Sequence, residues 1–438
     1  MEDHVPQNGL EKMLRDRLDN RYIKSRLRKL TVSPVGAVDF SSNDFLSLST
    51  SPLLRSAFLE ELNRYSSTFA IGSGGSRLLD GNSAYADQLE MEIAAFHNAP
   101  TGLLWNSGFD ANSGMFACIP QPGDVIIHDE LIHASVHDGM KLSRAAKCIP
   151  FAHNSVSHLR QLVGTLVAKD EEMRHGRKNV FIAVESVYSM DGDLAPLTEI
   201  KDLKDELLPK GNCHIIVDEA HATGVLGPNG RGLVSQLGLE KDIFARLHTF
   251  SKGLACSGAI VLCSPLVRSY LINYARPLIY ATFMPFPSLA AIKASYSLLS
   301  SGRTQALATH LRNLTLRFHS LLREMLAKFI DCPAIDKILS IPESCPQSPI
   351  FSLVTEHPRS LAKHLQDGGF VVRPVVPPTV PTSRVRVCLH AGNSMKELEN
   401  LVTRIEEWVN ARTMQSQADM GSSSVGSQDV VESVKPRL

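Results

Sequence analysis

The sequence predicts an α/β protein, with a large domain on a mostly parallel open sheet followed by a smaller α+β domain. Five apolar runs of strand length, at 102–105, 124–127, 180–184, 214–217 and 259–262, are rich in Val, Ile and Leu. Helical periodicity fills several of the gaps, as with Tyr85, Leu89, Ile93 and Phe96, and strands alternating with helices build parallel sheets. The runs end in small or polar residues, and in such sheets ligands collect outside the carboxyl ends of the strands. We divide the chain into an N-terminal helix and arm (1–50), the large domain (51–290), the small C-terminal domain (291–412) and a disordered tail (413–438).

Composition narrows the function classes. Lys plus Arg number 45 against 45 Asp plus Glu, so the basic footprint of a dedicated nucleic-acid binder is missing. Apolar residues at 43% and charged residues at 21% suit a soluble globular enzyme, and no apolar run approaches membrane-spanning length. The eight cysteines are scattered without a C-x-x-C pair, which points to a reducing compartment and away from a disulfide framework or zinc site. The acidic start, Met1-Glu2-Asp3-His4, is wrong for a mitochondrial presequence or a secretory signal.

Residues 10–30 read as an amphipathic helix with Leu10, Met13, Leu14, Leu18, Leu27 and Leu30 among many basic residues. Its basic face, including Arg28, is either solvated or a site for an anionic acyl or CoA group. Asn43 lies in the turn Ser41–Ser47 after a short strand at 38–40, and 71–77 is a Gly/Ser loop that lacks the G-K-[ST] of a Walker A sequence. The strand at 102–105 runs through Asn106-Ser107 into Gly108 and Phe109 at a helix start, an arrangement whose unpaired backbone N–H groups cradle a phosphate. After the next strand, His133 and His137 have the i, i+4 spacing of metal ligands, but the H-E-x-x-H order is absent, so no metal is expected. Stacking of an imidazole on a flat aromatic ring explains His133 equally well.

Ser189 lies in the polar turn after the strand at 180–184, and Asp218 ends the next strand with His221 three residues on. A carboxylate ending an apolar strand needs a cation or donors to offset its desolvation. Lys252 sits between small residues and hydroxyls in Thr249-Phe250-Ser251-Lys252-Gly253, where a lysine entering a pocket loses its proton easily and becomes a nucleophile toward carbonyls. Pyridoxal phosphate (PLP) is held by such a lysine, and a protonated pyridine nitrogen is a fitting partner for Asp218. Gly108, His133, Ser189, Asp218, His221 and Lys252 all come just after strand candidates, so one site could collect them.

Beyond it, 274–285 reads as an extended, Pro-bounded stretch and 286–330 as one or two long helices. The small domain carries strands at 350–354 and 385–389, helices at 360–367 and 395–409, and a Pro-rich segment at 373–381 holding Thr379. Arg386 could clamp a carboxylate with its fork. The Ser-, Gly- and Gln-rich tail ends in Pro436-Arg437-Leu438, similar to the peroxisomal address typified by S-K-L.

Eight stretches together resemble the α-oxoamine synthases, fold-type I PLP enzymes that join an amino acid to an acyl-CoA with loss of carbon dioxide. They are SSNDFLSL (41–48), IGSGGSRLLDGN (71–82), SGFDAN (107–112), DELIHAS (129–135), ESVYSMDGDLAPL (185–197), VDEAHATGVLGPNGRG (217–232), TFSKGLACSGA (249–259) and RPLIYATFMP (276–285). Phe151-Ala152-His153-Asn154 and the PPTVP segment at 377–381 point to the branch that condenses L-alanine with pimeloyl-CoA in biotin biosynthesis. The resemblance implies that Lys252 carries PLP as a Schiff base, Asp218 pairs with the pyridine nitrogen, His221 and Ser189 approach the ring hydroxyl, and His133 stacks on the ring. It implies that Gly108 and Phe109 offer backbone N–H groups to the phosphate and Thr249 its hydroxyl. It implies that Asn43 and Arg386 orient the amino-acid carboxylate, that Thr379 and Arg28 meet the substrates, and that the enzyme is a homodimer. Val376 stands where some synthases carry arginine, which bears on how the far end of the acyl chain is held. Three alternatives stay open: a sister synthase using glycine or a different acyl chain, a non-catalytic synthase subunit, which would lack Lys252, and a nucleic-acid ATPase suggested by the DEAH of 218–221 but lacking Walker A.

Overall fold

The computed structural model describes residues 8–24, 26–65 and 69–424, with those from 416 onward described by backbone alone. The chain forms two compact units divided after Ala37. The described part of the first holds the helix Gly9–Ile23, started by a capping box between Asn8 and Glu11. The helix expected over 10–30 therefore stops early. None of its residues is buried, so no packing extends it, and Thr31, Val32 and Pro34 ahead of it are poor helix formers. Arg28 lies exposed on the irregular segment after this helix. The arm expected to reach residue 50 also ends sooner, because Phe40, Phe45, Leu46 and Leu48 are buried in the core of the second unit.

The second unit contains the strands β1 (Val38–Asp39), β2 (Thr101–Trp105), β3 (Val125–Asp129), β4 (Lys147–Phe151), β5 (Val180–Glu185), β6 (Cys213–Asp218), β7 (Ala245–Thr249), β8 (Ala259–Cys263), β9 (Ile350–Val354), β10 (Phe370–Val371), β11 (Arg373–Val375) and β12 (Arg384–Cys388). The main sheet has seven strands in the order β2-β8-β7-β6-β5-β3-β4. From β7 to β4 all neighbours are parallel, and only β8 runs against its neighbours β7 and β2. Every residue of β3 and β5 is buried, as expected of strands covered on both faces. Alternation splits them between two cores. Ile127, Ile182, Ile215 and Val217 face one, and Ile126, Phe181, Ile216 and Leu247 the other.

Two strands of this sheet escape the apolar-run criterion. β4 is an edge strand that is mostly exposed and carries Lys147 and Pro150. β7 is fully buried but carries Arg246 and His248. One nitrogen of each is matched inside, Arg246 Nη2 donating to the His97 carbonyl at 3.0 Å and His248 Nδ1 lying 2.9 Å from Thr223 Oγ1, while Arg246 Nη1 and His248 Nε2 are buried without a partner among the described residues.

A three-stranded antiparallel sheet, β11-β12-β9, forms the centre of the C-terminal region, and β10 pairs in parallel with β1. The stretch at 274–285, expected to be extended, contains the helix Arg276–Tyr280, with Pro277 in its first turn, where its missing N–H costs nothing. The last helix runs from Met395 to Ser424. Residues 413–424, expected to be disordered, thus continue it, since adding residues to a formed helix avoids the nucleation cost. Pro436-Arg437-Leu438 lies outside the described residues. Among the described residues no helix is long and apolar enough to cross a membrane.

Candidate active site

The shared direction of β2, β3, β5, β6 and β7 brings their carboxyl ends to one edge of the sheet, with Glu185 beside Asp218 and Asp218 beside Leu247. Asp218 is buried, its Oδ1 accepting from the Ala220 amide at 2.9 Å and its Oδ2 from Asn112 Nδ2 at 2.8 Å. The Asn112 amide also reaches Ser135 Oγ at 3.0 Å, and that hydroxyl lies 2.7 Å from His133 Nδ1. His133 Nδ1 accepts from the Ser135 amide too, at 3.2 Å, which caps the helix Ala134–Leu142 and leaves the ring proton on Nε2. Burial lowers the His133 pKa, Asp218 opposes the shift and Lys252 adds to it, so the ring is neutral. The residue is exposed.

Lys252 is half-buried just beyond β7. Burial pushes its pKa down, the carboxylates of Asp218 and Glu185 resist, and the Arg386 guanidinium depresses it further. His221 is buried with Nδ1 unpaired among the described residues, and burial, with the charges of Lys252 and Arg386, holds it well below the ordinary imidazole range. Glu185 is buried and pushed well above the carboxylate range, first by burial and then by Asp218.

The helix that carries Asn112, Gly108–Cys118, is capped by Ser107, which takes the Asp110 amide on Oγ and the Ala111 amide on its carbonyl. The Gly108 and Phe109 amides are left unpaired among the described residues, pointing from a helix N-terminus. A Cβ at Gly108 would lie 3.4 Å from Thr249 Oγ1, so this cradle abuts the end of β7. The buried Thr249 hydroxyl donates to the Gly258 carbonyl at 3.3 Å and lies 3.1 Å from Ser251 Oγ.

On the third side, Arg386 on β12 donates from Nη2 to Asn43 Oδ1 at 2.9 Å and from Nε to the Ser189 carbonyl at 2.5 Å. The fold thus joins Arg386, Asn43 and Ser189. Thr379 lies exposed in the turn after β11, its amide on the Val376 carbonyl, and among the described residues no hydrogen bond links it to the Lys252 group. Arg28 belongs to the other unit. His128 and His137 meet edge to face at 5.1 Å, and among the described residues no cluster of three or more His, Cys, Asp or Glu could hold a metal.

A family model described as aminotransferase class I and II matches residues 35–405. The chain belongs to this family. It is an α-oxoamine synthase, a PLP-dependent acyltransferase most like 8-amino-7-oxononanoate synthase. It is 54% identical to the 8-amino-7-oxononanoate synthase of Emericella nidulans over 91% of this chain and 96% of that one. It is also 41% identical to aminoacyl transferase sphA of Aspergillus fumigatus, over 85% of this chain and 81% of that one. The crystal structure of 8-amino-7-oxononanoate synthase from Francisella tularensis superposes with a TM-score of 0.68 at 27% identity, covering 86% of this chain and 99% of that one. Sphingomonas wittichii serine palmitoyltransferase shares the fold at a TM-score of 0.77 and 24% identity, over 92% and 99% of the two chains.

The residues of this α-oxoamine synthase fit PLP. The unpaired Gly108 and Phe109 amides suit a phosphate, the exposed imidazole of His133 suits stacking on a flat ring, and a buried unpaired nitrogen on His221 suits a ring substituent. Three participants were not singled out by sequence reasoning. Glu185 carries the signal that exposed Asp218, a carboxylate closing an apolar strand. Asn112 and Ser135 are buried polar residues on helices, and nothing local sets them apart from core positions.

Proposed function

We propose that this α-oxoamine synthase condenses L-alanine with pimeloyl-CoA, releasing CoA and carbon dioxide and forming 8-amino-7-oxononanoate. The observation that carries this reading is the 54% identity to a synthase of that name across nearly the whole chain. PLP would be held by Lys252, Asp218, His221, Ser189, His133, Thr249 and the amides of Gly108 and Phe109, and when bound it supplies a sink for the electrons left on the amino-acid α-carbon. Lys252, its pKa lowered, takes the α-proton of alanine and returns a proton to the product. The Arg386 fork and Asn43 bind the alanine carboxylate until it departs as carbon dioxide. The neutral His133 ring would stack on the cofactor ring and fix its orientation. Thr379 lies at the substrate site in this reading.

The enzyme acts as a homodimer in this reading. Supporting it are the exposed apolar side chains of Ile71, Leu79 and Tyr280, beside the Gly/Ser loop and the segment tied to Asn106 through the Thr282 carbonyl. Pro436-Arg437-Leu438 would direct it to peroxisomes. The test is CoA-thiol release by the PLP-loaded protein with L-alanine and pimeloyl-CoA, run beside glycine and acetyl-, succinyl- and palmitoyl-CoA. Release with alanine and pimeloyl-CoA alone is expected. Preference for another pair would overturn the substrate assignment.

A further inference from the structure

The motif Phe151-Ala152-His153-Asn154 after β4 does more than mark a resemblance. The His153 ring lies between two carboxylates, Nδ1 at 2.9 Å from Asp129 Oδ1 and Nε2 at 2.7 Å from Asp193 Oδ2. Asp129 is fully buried at the end of β3, and its oxygens also accept from the Leu131 and Asn154 amides. Asp193 also accepts from Asn154 Nδ2 at 2.7 Å, and the Tyr188 ring meets the His153 ring edge to face at 4.5 Å. The His153 amide donates to Glu130 Oε1 at 3.0 Å. A ring whose two nitrogens both face carboxylate oxygens must donate from both, which only imidazolium can do.

This cation joins two segments of the cofactor site. Asp129 begins the loop that ends in His133. Asp193 closes the turn Val187–Leu194, which carries Ser189 and is pinned at its other side by the Arg384–Asp191 pair and by Arg386 on the Ser189 carbonyl. We infer that His153 is a positioning residue for the PLP site: held as an imidazolium between Asp129 and Asp193, it fixes the Ser189 turn against the strand end that presents His133. Burial alone would lower the pKa of this ring, but hydrogen bonds and charge from Asp129 and Asp193 outweigh it and raise it to about 10. The tether therefore survives the physiological range. The inference rests on the PLP site described above, not on the identity of the substrates.

His153→Gln keeps a single donor group and removes the charge, whereas Asp193→Asn keeps the histidine and removes the ionised partner on the turn. Two readouts are taken at pH 8: amide hydrogen exchange of 187–194 in the apoprotein, and PLP dissociation tracked by absorbance of the lysine-bound cofactor. Both variants are expected to exchange at least about tenfold faster in 187–194, with the helix 305–327 unchanged, and to bind PLP about tenfold more weakly. If His153→Gln does not fold, Asp193→Asn decides alone. Exchange and PLP affinity within twofold of wild type would overturn the inference, as would equal acceleration in every segment, which would make His153 a contributor to global stability only. Neither readout depends on which amino acid or acyl-CoA is used, so failure of the substrate assignment would leave this result intact.

Discussion

Replacing Asn112 by alanine removes one side-chain amide and leaves the chain otherwise intact. That amide donates at 2.8 Å to Asp218 Oδ2 and lies 3.0 Å from Ser135 Oγ, the hydroxyl next to His133. Asn112 is 2% exposed, so water does not readily take its place. A hydrogen bond to an ionised group contributes about 1.5–3 kcal/mol and one to a neutral hydroxyl about 1 kcal/mol. Asp218 keeps the Ala220 amide, so we take about 2 kcal/mol as the share felt by the cofactor, which corresponds to about 30-fold in its dissociation constant. Titration of the apoprotein with PLP, read by absorbance, measures this directly. Asn112→Asp should cost more, because it sets a second carboxylate against Asp218. A dissociation constant for Asn112→Ala within threefold of wild type would refute the claim that Asn112 orients Asp218.

Lys252→Ala should abolish turnover while the protein stays folded by circular dichroism; measurable CoA release would remove Lys252 from the proton-transfer role. Arg386→Lys loses the fork to Asn43 and the Ser189 carbonyl, so KM for alanine should rise at least about tenfold, more than kcat falls; equal effects on both would contradict ground-state binding of the carboxylate. A methyl on Gly253 would sit 2.7 Å from the Thr223 carbonyl oxygen, so Gly253→Ala should lower both Tm and PLP occupancy by shifting the backbone at Lys252; unchanged values would show that the turn yields freely. His153 has a folded-state pKa of about 10 against an ordinary 6.5. Its stabilisation is therefore complete below about pH 6.5 and is lost as pH rises through 10. Thermal melts should show wild type losing more Tm than His153→Gln between pH 7 and 10.5.

The legible and the hidden parts of the chain divide along physical lines. β3, β5 and β6 stand out because sheets covered on both faces demand continuous apolar runs. β7 hides because Arg246 and His248 break its run, and their partners, His97 and Thr223, lie far away in sequence. Gly108, His133, Asp218 and Lys252 are legible because an open sheet gathers the residues at its strand ends along one edge. The Arg386–Asn43 bond spans 343 residues, and no local pattern predicts it. The His153 bridge is invisible for the same reason: its meaning lies in Asp129 and Asp193, which only the fold brings to one ring. The helix past 412 misleads in the other direction, since composition speaks of a segment alone and not of a helix already nucleated upstream.

The most direct test of decarboxylative condensation uses carboxyl-labelled L-alanine with pimeloyl-CoA and the PLP-loaded protein, measuring labelled carbon dioxide and free CoA thiol in the same reaction. Equal amounts of both, each absent when either substrate is left out, are predicted. Carbon dioxide without acyl-CoA, or CoA without carbon dioxide, would contradict it.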